Sequence, residues 1–182
     1  MPRLLAIDPA ATTGKTKTQL DGVRAALGVV PNLMRTLANA PAALQGYLDF
    51  AKALGGGGLT PAAREAIALT VAGDNGCEYC ASAHTLLGGK AGVAADELAR
   101  NLRGDSADPR TAAALAFASR VVAARGQVSD DDLARARTAG LDDAAITEIV
   151  ANVALNVLTN YVNNVARTVV DFPTVALPRK AA

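Results

Sequence analysis

An all-α fold is predicted by three features of this 182-residue sequence. No segment sustains the alternation of apolar and polar residues, with turn signals at its ends, that marks half-buried strands. Helix-start chemistry recurs along the chain: Pro31, Pro41, Pro61 and Pro109 stand where first turns begin, and Thr60 and Ser129 occupy N-cap positions. Alanine, valine and leucine supply most of a hydrophobic content of 51%, while aromatics contribute only 3%, a mixture that suits closely packed helices.

Residues 1–19, with their Thr, Lys and Pro, read as an N-terminal arm of little periodicity. Gly14-Lys15-Thr16 has the ending of a phosphate-binding loop. The glycine that such a loop needs five residues earlier is Pro9, so that reading fails. A short helix over 20–27 stops near Gly28. Pro31 and Pro41 start helices over about 31–39 and 41–54. The four glycines at 55–58 form a flexible break; no strand precedes them to make a phosphate cradle. Thr60 caps the next helix, with Pro61 at its first position, running to about residue 72. Gly73-Asp74-Asn75-Gly76 is turn chemistry. A helix then begins near Cys77 and ends around Gly88-Gly89. Residues 95–102 are a short helix, and Asp108-Pro109 opens another to about 124. Ser129 is followed by three acids in a first turn, where the helix dipole favours them. Asp142 opens a final helix to about residue 170. The domain therefore spans 20–175, followed by a C-terminal tail over 176–182.

Composition excludes several function classes. The formal net charge is +1 with both signs mixed along the chain, and no basic patch is interleaved with aromatics, so no nucleic-acid partner is expected. The first apolar run, residues 4–7, is too short for a signal peptide and is stopped by Asp8. No uninterrupted apolar stretch approaches the roughly 20 residues that span a bilayer. The expectation is a soluble, cytoplasmic protein with no membrane partner. In a reducing compartment, a CxxC pair is more often catalytic or metal-binding than structural.

The only two cysteines and the only histidine lie within eight residues, Cys77-Glu-Tyr-Cys80-Ala-Ser-Ala-His84. With Cys77 in a first helical turn, offsets of 0, 3 and 7 put all three on one helix face. A helix N-terminus stabilises thiolates, which are the nucleophilic form. A histidine near neutral pKa can move the protons, and Glu65, on the preceding helix, can orient the imidazole. The same residue types suit zinc. Helical spacing brings only three of them to one face, and structural zinc sites more often use a second CxxC or paired histidines. A thiol redox centre is the favoured reading, with the metal site and an inactive relic as alternatives.

The pattern Glu65-x11-Cys77-x2-Cys80-x3-His84 resembles the motif of the AhpD-like alkylhydroperoxidases, within the carboxymuconolactone decarboxylase superfamily. Flanking segments carry the likeness outward: Leu27-Gly28-Val29-Val30-Pro31-Asn32-Leu33 before the core, and Asn156 to Asn163 with Thr168 and Asp171-Phe172-Pro173 after it. The latter resembles the closing segment of a peroxidase-related branch. The resemblance implies an AhpD-like helical fold with a two-helix core carrying the Glu and CxxC-x3-His elements. It implies Cys80 as peroxidatic cysteine, Cys77 as resolving cysteine, and His84 with Glu65 as proton relay. Some relatives have histidine where this chain has Tyr79. Family decarboxylases typically lack the paired cysteines, so the CxxC argues against that branch.

The function implied is a thiol-dependent peroxidase that reduces hydrogen peroxide or organic hydroperoxides, with no cofactor. An external dithiol would reset it: a lipoyl group, a thioredoxin-like protein or a small thiol. Homo-oligomers, trimers or hexamers, are implied as well. The alternatives are a general dithiol–disulfide oxidoreductase, a non-enzymatic redox sensor or zinc-binding module, and a decarboxylase-like enzyme. One feature stands outside this set. Asn152, Asn156, Asn160 and Asn163 recur on the last helix and, with Thr159 and Arg167, make a polar, almost uncharged stripe. Asparagine is a poor helix former. The stripe is read either as a buried seam at a subunit contact or as a solvated face.

Overall fold

The structure is a computed structural model that describes residues 1–178; residues 179–182, the end of the predicted C-terminal tail, lie outside the described residues. The described residues are all-α, with no strand: α1 (Gly14–Leu27), α2 (Asn32–Leu37), α3 (Pro41–Gly55), α4 (Pro61–Asp74), α5 (Glu78–Lys90), α6 (Ala95–Asn101), α7 (Pro109–Ala123), α8 (Asp130–Thr138) and α9 (Asp143–Ala166).

Local chemistry explains most boundaries. Thr60 accepts the Ala63 N–H at 3.2 Å, Asp108 the Thr111 N–H at 2.8 Å, and Asp142 the Ala145 N–H at 2.8 Å. Ser129 and Asp132 satisfy each other's backbone donors in a capping box. The loop at 55–58 holds a side-chain carboxylate: Gly58 and Leu59 donate their N–H groups to Glu148 at 2.7 and 2.9 Å.

Four boundaries differ from expectation. The predicted arm over 1–19 already contains the first turn and a half of α1, and its leading residues are tied down: Arg3 N–H donates to Ala166 at 2.7 Å and Ile7 N–H to Arg35 at 3.0 Å. The opening turn of α1 is polar and shows no apolar periodicity, so nothing in the sequence marked it. Helix α4 continues through Gly73, where the composition of 73–76 predicts a turn. A Cβ there would lie 2.2 Å from the Leu102 carbonyl oxygen, so glycine serves close packing rather than a bend. Helix α9 stops at Ala166, short of 170, because Arg167 adopts a left-handed conformation at φ 49. The chain then runs extended, and Asp171 accepts the Asn32 N–H at 2.8 Å. The segment beyond 175 is not a free tail throughout, since Leu177 packs on the core.

Helix α4 is the spine. Every residue from Ala66 to Ala72 is buried. One side joins Leu69 and Ala72 to Leu20 of α1, Leu33 and Leu37 of α2, Leu44 of α3 and Leu98 of α6. The other joins Ile67 and Val71 to Leu115 of α7, Ala136 of α8 and Ile149 of α9. Each fully buried side chain of this size contributes about 1.5–3 kcal/mol of transfer free energy. Helix α9 is long and apolar enough, by length and composition alone, to cross a membrane. Here it packs against α2, α3, α4, α5 and α7. Its inward face carries the four buried asparagines, while Val150, Leu158, Tyr161 and Val165 are exposed on the opposite face. Over 156–165 the usual amphipathic arrangement is inverted, whereas Ile146, Ile149 and Val153 keep it in the first half of the helix.

Candidate active site

Helices α4 and α5 pack tightly antiparallel across the turn at 75–77, and this pairing builds the site. Close approach needs Gly88: a Cβ there would meet Leu98 Cδ2 at 2.5 Å and Glu65 Cβ at 3.6 Å. From α4, Glu65 Oε2 reaches His84 Nδ1 of α5 at 2.7 Å, with both side chains about 21% exposed.

Cys77 is the N-cap of α5, not a first-turn residue. Its backbone is extended (φ −99, ψ 96), and its Sγ accepts the Cys80 N–H at 3.4 Å. Cys80 therefore occupies the first turn, where unpaired N–H groups and the helix dipole favour an anion. Both thiols are reduced and buried. Cys80 is only 2% exposed, yet it lines a cavity of about 370 Å³ together with Glu65 and His84. Cys77 does not line that cavity; it lies behind Cys80.

The environment divides the two thiols. Cys80 is held down to about 6, because the Cys77 thiol hydrogen-bonds it and the His84 charge and the Asn163 and Asn160 amides also favour the thiolate, together outweighing burial. Cys77 is pushed far above the ordinary thiol range by that same hydrogen bond to Cys80 and by burial. For His84, burial disfavours the imidazolium, but the Glu65 carboxylate and the Cys80 thiolate outweigh it and raise its pKa above the ordinary histidine value. Cys80, drawn toward its anionic form, His84 and Glu65 thus open together onto the cavity, with Glu65 bonded to the imidazole.

The asparagine stripe supplies the far wall. Asn163 Nδ2 donates to Cys80 Sγ at 3.3 Å, and Thr159 Oγ1 lies 3.9 Å from the same sulfur. Asn152 and Asn156 line the cavity. The stripe is thus neither a solvated face nor a seam at a subunit contact: it is buried inside this chain, against the thiols. Arg167 departs from it and is exposed. The period of the stripe was visible in the sequence; its partner was not, because nothing local shows which element an inward helix face meets.

Tyr79 stands outside the proton chain. Its hydroxyl accepts the Leu33 N–H at 3.0 Å, its ring meets Phe172 edge-on at 5.4 Å, and burial raises its phenol well above the usual range. Tyr79 anchors α2 and the extended C-terminal segment to the site. Tyr47 of α3, which no motif or spacing singles out, lines the cavity beside Cys80 and Glu65. Burial, with those two charges, pushes its phenol up to about 12, so it stays a neutral hydroxyl. Leu27, Val29, Met34, Leu54, Leu86 and Leu155 make the remaining lining mainly apolar, with Arg64 and Lys90 also present. Among the described residues, no three or more His, Cys, Asp or Glu side chains are grouped so as to hold a metal ion.

Residues 41–124 match the carboxymuconolactone decarboxylase family. A peroxidase-related protein from Ralstonia eutropha JMP134, described as an alkylhydroperoxidase AhpD core, superposes with a TM-score of 0.80 at 29% identity, covering 93% of this chain and 92% of its own. A peroxidase-related protein from Silicibacter sp. TM1040 gives a TM-score of 0.79 at 23% identity, covering 96% and 93%. The debrominase Bmp8, in complex with 2,3,4-tribromopyrrole, shares the fold with a TM-score of 0.78 at 17% identity, covering 94% and 92%. No curated protein matches the sequence.

Proposed function

For a chain that belongs to the AhpD-like carboxymuconolactone decarboxylase superfamily, we propose a thiol-dependent peroxidase acting through a Cys77–Cys80 disulfide cycle. The observation that carries this reading is the placement of the two sulfurs: Cys80, in the first turn of α5 and drawn toward its anionic form, lines a cavity with His84, while Cys77, the N-cap whose Sγ accepts the Cys80 N–H, stays off that cavity and is held toward its protonated form.

The steps follow from that placement. The Cys80 thiolate attacks the terminal oxygen of R–O–O–H. An S–O bond forms, the O–O bond breaks, and the leaving alkoxide takes a proton from His84 to depart as the alcohol. Glu65 holds the imidazole by its Nδ1 and favours its charged form. Cys80 is now a sulfenic acid. Cys77 attacks its sulfur, the S–S bond forms, and the hydroxyl leaves as water with the Cys77 proton. An external dithiol, through exchange, returns both thiols. The mainly apolar cavity favours organic hydroperoxides over hydrogen peroxide. Cytoplasmic residence, where reduced dithiols are supplied, and assembly into homo-oligomers belong to the same reading; the exposed apolar face of α9 is available for that contact.

The test is consumption of cumene hydroperoxide and of hydrogen peroxide with a panel of dithiol donors. Wild type is expected to turn over, faster with the organic peroxide, and Cys80→Ser to lose turnover entirely. Full turnover by Cys80→Ser would remove the assignment. Equal rates with a protein disulfide in place of peroxide would indicate a general dithiol–disulfide oxidoreductase instead.

A further inference from the structure

Two buried amide atoms beside the reactive sulfur have no hydrogen-bond partner among the described residues: Asn160 Nδ2 and Asn163 Oδ1. Both residues are almost wholly buried. Burying an unpaired amide is costly, and a folded core normally pairs such groups. The partners the two residues do have are informative. Asn160 Oδ1 accepts from Asn75 Nδ2 at 3.0 Å, in the turn that leads into Cys77. That contact fixes the amide with its N–H₂ group free. Asn163 spends its own N–H₂ group on Cys80 Sγ at 3.3 Å. Neither residue lines the cavity, so neither is placed to contact a substrate. Asn163 meets the sulfur from the side away from the cavity.

We propose that Asn163 is a positioning residue whose amide N–H group, donated to Cys80 Sγ, holds that sulfur as an anion, so that forming the disulfide strands this buried donor and biases the Cys77–Cys80 pair toward the reduced state. A thiolate is a strong acceptor for such an N–H donor, whereas a disulfide sulfur is a weak one. Whatever stabilises only the reduced form makes the disulfide a better oxidant. The inference rests on the dithiol reading but not on peroxide as the substrate.

The groups that face Cys80 are few. Cys77 and His84 flank it on the α5 side, Glu65 acts from α4 through His84, and Tyr47 from α3 and Tyr79 from α5 contribute neutral phenols. From α9 come only uncharged side chains, Asn160, Asn163 and Thr159. Removing one amide therefore changes hydrogen bonding without deleting a charge.

The experiment uses Asn163→Leu, which keeps the branched shape without the amide, and Asn163→Asp, which replaces the donor with a carboxylate. Each full-length protein is equilibrated in glutathione buffers. In oxidised glutathione, the Cys80 thiolate displaces one glutathione thiolate to give a mixed disulfide, and Cys77 displaces the second to close the bridge. Mass spectrometry reads the dithiol-to-disulfide ratio, and iodoacetamide labelling localised to Cys80 reads its pH profile. Asn163→Leu is expected to favour the disulfide about tenfold, a potential about 30 mV more negative, and to move the labelling inflection upward. Asn163→Asp is expected to move that inflection further in the same direction. Folded variants with wild-type ratio and profile would overturn the proposal, as would a pair that never bridges at any buffer ratio. If Asn163→Leu does not fold, the labelling profile of Asn163→Asp decides. A wild type that titrates with glutathione but ignores peroxide would defeat the proposed function and leave this inference standing.

Discussion

At the scale of single residues, the site works by making two identical side chains different. Position alone begins this: Cys77 caps α5 while Cys80 lies in its first turn. Charge and hydrogen bonding finish it, and the sign is clear. A thiol held down to about 6 is mostly anionic at neutral pH, so reactivity rises as pH rises through about 6 rather than through the usual 8.5. Iodoacetamide labelling of Cys80 should follow that profile, with Cys77 unlabelled under the same conditions. Labelling of both thiols along one curve near 8.5 would contradict the division. His84→Ala removes the proton donor and a charge that lowers Cys80; kcat/KM for peroxide should fall by about 10²-fold or more. Glu65→Gln should lower the His84 pKa and narrow the active pH range from its alkaline side, measured as a pH–rate profile.

At the scale of elements, the α4–α5 pair holds the chemistry in register, and its glycines carry opposite consequences for substitution. Gly→Ala in a helix gains up to about 1 kcal/mol from propensity. At Gly73 the new methyl would meet the Leu102 carbonyl oxygen, which is backbone and cannot rotate away. Overpacking costs typically about 1–3 kcal/mol, occasionally more, so Gly73→Ala should destabilise. Gly89 meets nothing within 4 Å, so Gly89→Ala should be neutral or slightly stabilising. Urea unfolding of the two variants checks the contrast. Tyr79→Phe, which strands the buried Leu33 N–H, should cost about 1–2 kcal/mol while peroxide turnover is retained. Helix starts were legible because they depend on one or two residues, as at Thr60 and Ser129. Gly73 misled for the complementary reason: its role depends on Leu102, twenty-nine positions away, and composition read it as a turn. Glu65, Cys77, Cys80 and His84 were legible from their scarcity and spacing. Tyr47, Thr159 and the destination of the asparagines were not, because α3 and α9 join the site only through tertiary packing.

For the whole molecule, α9 is the element whose two faces make opposite demands. Its inward face turns from apolar, at Ile146, Ile149 and Val153, to polar where it meets the thiols; its outward face exposes Val150, Leu158, Tyr161 and Val165. In the homo-oligomer proposed here, that outward face is buried against another copy. Tyr161→Asp should then lower the mass measured by light scattering while leaving Cys80 labelling intact, and an unchanged mass would locate the contact elsewhere. The central claim, that Cys80 is the peroxide-reducing atom and Cys77 its resolver, is tested most directly by mixing Cys77→Ser with one equivalent of cumene hydroperoxide and measuring intact and peptide masses. The account predicts the gain of a single oxygen, located on Cys80 and trappable with dimedone. A protein that leaves the peroxide untouched, or that is oxidised at any other residue while Cys80 stays a thiol, would contradict it.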